Sequence, residues 1–298
     1  MKTFLALTRR NIKLFFKDKG MFFISLLTPA ILLVLYATFL ANVYKDSFTQ
    51  AIKDIPLNIP DKLINGTVAA QLLSSLLAVI PITVAFNSNM RLVQDRMTGI
   101  SKDFQITPVK NSVLSLSYFA GTLATTLIVA YVATALGLAY VAIQGWYLTF
   151  GDVMFVVLDV FLLALFGTAL SSIISSFLKS QGAMSAVGTV VSAGYGFLCG
   201  AYMPIASFDI GLQNVLMFLP GTYGTALVRS HTLRGVFEEM SAVGFPAEVV
   251  EGIKDSIDCN IYFFENKVEI WMMFAVMAAT ISVLIAAYIL LNALRKRR

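Results

Sequence analysis

Apolar residues fall in long unbroken runs along this chain, and polar residues gather in short bursts between them. A membrane-spanning helix needs about 20 apolar residues, because the hydrocarbon core is about 30 Å thick and a helix rises 1.5 Å per residue. Six runs qualify, at roughly 21–42, 66–86, 113–143, 153–178, 183–203 and 270–291. The third exceeds the minimum by about ten residues, so it tilts or extends out of the bilayer. Backbone facing lipid must satisfy its own hydrogen bonds, so each run is read as helix. The alternation of a β-barrel is missing. Pro29 and Pro81, inside the first two runs, predict kinks. The stretch 205–230 differs, because Pro220, Gly221 and Gly224 interrupt its apolar piece at 215–219. Too short to cross, it predicts a re-entrant segment shielded by other helices. Beyond Ser230, short helices are expected near 235–242 and 247–257, in an acidic outer segment.

Composition points the same way. Of 298 residues, 58% are hydrophobic and 13% charged, against about 45–50% and 25% in soluble domains. The fold class is therefore an all-α integral membrane protein, with 1–298 as a single transmembrane domain. The run at 21–41 is longer than the 7–15 residues of a signal-peptide core, and is read as the first span.

Charge chooses the sides. Six spans place both termini together, with Lys2, Arg9, Arg10, Lys13, Lys17, Lys19, Arg91, Arg96, Lys102, Lys110, Lys179 and Arg295 to Arg298 on that side. These are 15 of the 22 Lys and Arg, accompanied by Asp18, Asp95 and Asp103 alone among the acids. The positive-inside rule makes this side cytoplasmic, for a multi-pass protein of the cell membrane. Trp146 and Trp271 then fall at outer helix ends, where indoles are favoured.

Two cytoplasmic pieces stand out. In residues 1–20, Arg9, Arg10, Lys13 and Lys17 share one helical face, opposite Phe4, Leu5, Leu7, Ile12, Leu14, Phe15 and Phe16. That pattern predicts a basic amphipathic helix along the inner leaflet. The second piece, 87–112, is long for a connection. Residues 88–98 predict a short helix, Gly99 its cap, and Pro108 an extended lead into the third span.

Chemistry-bearing signatures are scarce. The chain has no G-x-x-x-x-G-K-[ST] loop for nucleotide phosphates, and no G-x-S-x-G or H-E-x-x-H. Catalysis, resident cofactors, metal and nucleic-acid partners are not expected. The single histidine, His231, is expected at a polar loop edge. Cys199 and Cys259 are read as free thiols. Asp159, the one charge well inside a span, has two readings. It lines a path for a cationic or polar substrate, or it is structural, as a helix-to-helix hydrogen bond or a snorkel toward Asp152 and water. Gly196 and Gly200 form a G-x-x-x-G of the kind that pairs helices.

Taken with their order and spacing, two motifs resemble those of ABC-2 type permeases, the membrane subunits of ATP-binding-cassette exporters. In RLVQDRMTGISKDFQITPVKNSV, Asp95, Arg96, Gly99, Phe104, Thr107 and Pro108 fill the places of that family's coupling loop. In FLCGAYMPIASFDIGLQNVLMFLPGTYGTALVRS, Gly200, Pro204, Pro220, Thr222, Tyr223 and Arg229 match a second segment, with Leu219 where Asn is usual. The resemblance implies an exporter permease fold in which a second copy completes the pore. A separate ATPase carrying ATP and Mg would dock on the coupling loop, through Arg91, Asp95, Arg96, Lys102 and Phe104, with Gly99 and Pro108 shaping its ends. It also implies a role for helix 1–20 beside the ATPase, a seam lined by the first and fifth spans, and hydrophobic cargo such as drugs or antibiotic peptides. The residues themselves leave open an ATPase-independent carrier or channel, or a membrane scaffold.

Overall fold

The computed structural model describes residues 2–35, 42, 45–46, 59–107 and 109–295. The side chains of Pro29 and Lys102 lie outside that description, as do Pro108 and residues 296–298 of the basic tail. The helices are α1 (Lys2–Lys17), α2 (Lys19–Leu35), α3 (Asp61–Met97), α4 (Ile100–Gln105), α5 (Asn111–Gln144), α6 (Phe150–Phe177), α7 (Gln181–Leu198), α8 (Ile210–Leu216), α9 (Pro220–Val243), α10 (Ala247–Ser256) and α11 (Ile270–Arg295). A two-residue hairpin, β1 (Tyr262–Phe263) with β2 (Asn266–Lys267), precedes α11. Among the described residues, α3, α5, α6 and α11 are long and apolar enough to cross a membrane. Helix α2 is described only to Leu35, and α7 has 18 residues with four glycines diluting its hydropathy.

Helix α3 is the axis, packed against α2, α5, α6, α7 and α9. Leu63, Leu77, Val79, Ile82, Val84, Phe86 and Val93 on it are all buried. A helix apolar all round belongs in a core, and α3 is placed there. Lipid tails are as apolar as leucine, so close contact rather than expulsion from water must hold the helices together. At Gly167 of α6 an added Cβ would lie 3.0 Å from Ile82 and 3.2 Å from the Pro81 carbonyl. At Gly235 of α9 it would lie within the Tyr147 carbonyl, so only glycine lets α9 pass the 145–149 turn.

The bundle has two ends. One gathers α1, α4, the turn between α6 and α7, and the end of α11, where Ser115 donates to Asn292 at 3.1 Å. The other gathers the 145–149 turn, α10 and the hairpin, here called the cap. Glu251 of α10 accepts hydrogen bonds from Lys254, Asn260 and the hairpin's Lys267. Those bonds, Lys254 first, hold its carboxyl down to about 2.

Several expectations change. Residues 88–98 are not a separate helix but the last turns of α3. Gly99, at φ +83°, makes the bend, and the chain first turns helical as α4 before extended backbone at Lys110 leads into α5. Residues 235–242 are the end of the 24-residue α9, which starts at Pro220 because proline suits the first helical position. His231 is not at a loop edge; it is 5% exposed, midway along α9.

Both cysteines are buried free thiols. Burial pushes the Cys259 thiol up to about 12, and the thiolate is the reactive form. Maleimide at pH 8 should therefore label Cys259 only after denaturation, as mass spectrometry of the treated protein would read; rapid native labelling would contradict this packing.

Candidate functional site

The end of α3 carries a carboxylate that no water reaches. Asp95 is fully buried, and its Oδ2 accepts from Arg10 Nη1 of α1 at 2.8 Å and Tyr118 Oη of α5 at 2.6 Å. Arg91, one turn earlier on α3, brings Nε to 3.5 Å of Oδ1, a charge contact rather than a hydrogen bond. The Arg10 guanidinium lies 5.3 Å from the centre of the Phe104 ring on α4, within cation–π range. Burial works against the Arg10 charge, but the hydrogen bond and charge of Asp95 outweigh it and raise the pKa. One arginine thus joins α1, α3, α4 and α5.

The surroundings explain why α1 lies there. Its buried stripe is Leu7, Asn11 and Phe15, one residue per turn. Asn11 Nδ2 donates to the Ser117 carbonyl at 3.2 Å, and a Cβ on Gly121 would meet Asn11 Cβ at 2.8 Å, so α1 rests directly on α5. Arg9, Lys13 and Lys17 remain exposed, whereas Arg10 turns inward. Arg96 donates to the Ser175 and Ser176 carbonyls at 3.0 and 3.4 Å, capping the end of α6. Asn89, which no sequence motif singles out, donates to Ser171 and Ser172 of α6 and accepts from Thr122 of α5.

Asp95 and Arg96 therefore brace the chain internally, and Asp95 offers no surface to a partner. Among the described side chains of residues 97–107, Met97, Thr98, Asp103, Ile106 and Thr107 are exposed. Ile106, at 87% exposure, is the most exposed large apolar residue among those described.

A family model described as ABC-2 type transporter matches residues 2–233, from α1 into α9. The chain belongs to the ABC-2 type transporter family. It is accordingly a multi-pass membrane protein and the membrane part of an ABC transporter. Among curated proteins, no sequence matches it.

The second ABC-2 segment builds a polar node towards the cap. Thr222 and Tyr223 donate back to the carbonyls of Leu216 and Met217 at 2.9 and 2.8 Å, closing the turn from α8 into α9. Arg229 is 1% exposed. It donates to the carbonyls of Gly200 and Ile257, both at 2.8 Å, and to Ser75 Oγ and Asp258 Oδ2, both at 3.3 Å. Asp258 also accepts from the Ile205 and Ala206 amides at 2.6 and 3.0 Å. Gly200 is needed for its left-handed φ of +75° and because a Cβ would lie 2.8 Å from Asp258. Gly196 packs under the Tyr202 ring. Both glycines of the expected helix-pairing motif are thus used within this chain.

Farther along α9, His231 Nδ1 lies 2.6 Å from Asp159 Oδ2 of α6. Its ring stacks on Phe155 at 4.8 Å and approaches Phe274 of α11 at 5.9 Å. The contact is a helix-to-helix hydrogen bond, one of the readings open for Asp159. Arg234 bonds Asp152 and Thr149, which form the capping box of α6. Positions 229, 231 and 234 so pin α9 to α3, α6 and the cap. No local motif announces His231 with Asp159 or Arg229 with Asp258, because each pair joins distant segments.

Proposed function

We propose that this chain is the pore-forming subunit of an ATP-driven exporter, working as a dimer and energised by separate ATPase chains. The observation that carries this is the Arg10 node, which fastens α1 and α4 to the ends of α3 and α5. A push on the exposed tip at Ile106 would reach α3 through α4 and the short bend at Thr98 and Gly99, and α3 touches most of the bundle. Packed interiors pass on such displacement because they are dense and resist deformation.

In this reading six helices cross, α2 and α7 joining the four long ones, and the basic excess places α1 and α4 in the cytoplasm. Residues 204–243 form the re-entrant part and 244–269 the outer cap. The seam between copies is assigned to the exposed small side of α7, at Gly182, Ala186, Thr189 and Ala193, in place of Gly196 and Gly200. ATP and Mg belong to the partner ATPase. Cargo is hydrophobic or amphipathic, in keeping with apolar walls. Arg9, Lys13 and Lys17 remain available to anionic lipid or to the ATPase.

The test is purification of the tagged chain from native membranes in mild detergent. A stoichiometric P-loop ATPase should accompany the wild type. Ile106→Asp should reduce its recovery about tenfold or more, the loss of one interface anchor worth about 2 kcal/mol. Proton-driven flux by the isolated chain would instead favour a secondary carrier.

A further inference from the structure

The cap hairpin turns on a residue poorly suited to its backbone. Phe263 pairs with Asn266, which leaves Phe264 and Glu265 as the turn. Phe264 has φ of 55°, a conformation that glycine adopts freely and bulky residues avoid. The ring kept there meets Phe263 edge-on at 5.0 Å. Phe218, just before α9, meets Phe263 at 5.3 Å and Phe264 at 6.4 Å. Phe218 is 66% and Phe264 52% exposed, so these rings face outward from the described chain.

Helix contacts fix how deep the cluster lies. A Cβ on Gly224 would touch Leu163 of α6 at 2.6 Å and Met277 of α11 at 3.2 Å, so the three residues share one level. Leu163 lies about 20 Å along α6 from Phe150, whereas Met277 lies about 10 Å along α11 from Ile270, at 1.5 Å per residue. Helix α6 thus rises about 10 Å beyond the start of α11. The hairpin ends three residues before that start, and Phe218, which its rings touch, precedes Gly224 on the side away from the 145–149 turn, so the cluster lies below the cap end of α6. Apolar surface continues on both sides, through exposed Ile270 and Trp271 on α11 and Ile210, Leu212 and Val215 on α8.

We propose that Phe218, Phe263 and Phe264 form a lipid-inserting foot that seats the cap in the interfacial zone of the leaflet on its side. Its partner is the boundary between lipid headgroups and acyl chains. Aromatic rings are favoured at that level, and Glu265 and Lys267 beside them suit the headgroups. The continuous apolar surface of α8 and α11 leads directly into the cluster. Phe218 is two residues from Pro220, so the foot also anchors the start of α9. The inference rests on membrane insertion alone, not on an ATPase or on which side the cap faces.

Tryptophan replacement with lipid quenchers tests this. Trp146→Phe and Trp271→Phe remove the native indoles, and Phe264→Trp supplies a single reporter. The variant, checked for wild-type thermal unfolding, is reconstituted into phosphatidylcholine vesicles with bromine near the headgroup or near the chain terminus. Shallow bromine should quench roughly twofold or more, clearly above deep bromine and aqueous acrylamide. Dominant acrylamide quenching would place the ring in water, and absence of all quenching would place it under protein. Deep quenching equal to shallow would remove the interfacial position. Each of these results overturns the proposal. Should Phe264→Trp not fold, Phe218→Trp in the same background reads the cluster with the same outcomes.

Discussion

Arg229→Ala should destabilise the protein by about 3–5 kcal/mol, the usual cost of breaking a buried ion pair from one side. The guanidinium holds two backbone carbonyls, a serine and Asp258 from within the bundle. Its removal strands the Asp258 carboxylate and opens the contact between α9 and the 200–206 turn. Arg229→Lys should recover less than half of the loss, because an ammonium is a point charge and cannot span acceptors placed for a planar fork. Thermal unfolding in detergent, followed by cap proteolysis, reads both variants. Arg9→Ala, on an exposed side chain, is the control and should shift nothing beyond about 0.5 kcal/mol. An Arg229→Ala protein as stable as that control would contradict the clamp.

The second large effect belongs to the Arg10 node. Arg10→Ala and Asp95→Ala should each cost about 2–4 kcal/mol, since each leaves a charged partner short of its hydrogen bond in a largely dry site. The two losses should not add. A double-mutant cycle should return about 1.5–3 kcal/mol of coupling, the range for hydrogen bonds to charged groups. Tyr118→Phe, which removes only the hydroxyl that Asp95 accepts, should cost about 1–2 kcal/mol. Additive losses would mean that α1 rests on α5 through Leu7, Asn11 and Phe15 alone. In the proposed complex with an ATPase, the same variants should lower cargo-dependent ATP hydrolysis while the ATPase stays bound, because the proposed docking tip at Ile106 is untouched.

Much of the helical layout is legible in the chain. Apolar runs mark the long helices, and Gly99 marks the end of α3. Sidedness of contact is less legible. Asp95 and Arg96 sit in a charged stretch and read as surface, yet α3 continues as helix past its apolar part and turns both inward. Helical phase, not composition, decides that, and a loop assignment at Asn87 discards the phase. His231 reads as a loop residue because Gly221, Gly224 and Gly235 break the apolar pattern of α9. Those glycines instead let α9 press against Cys199 and Tyr195, Leu163, and Tyr147. Pairs such as Arg229 with Asp258 depend on two segments meeting in space, and nothing local announces them. Gly196 and Gly200 show the converse case, where a helix-pairing pattern serves a tight turn within one chain.

Photo-crosslinking from position 106 tests the central claim most directly. With benzoylphenylalanine in place of Ile106, irradiation of intact cells should join this chain to a P-loop ATPase, identified by mass spectrometry of the adduct. Labelling from the extracellular side, or adducts to lipid with no nucleotide-hydrolysing partner, would contradict it.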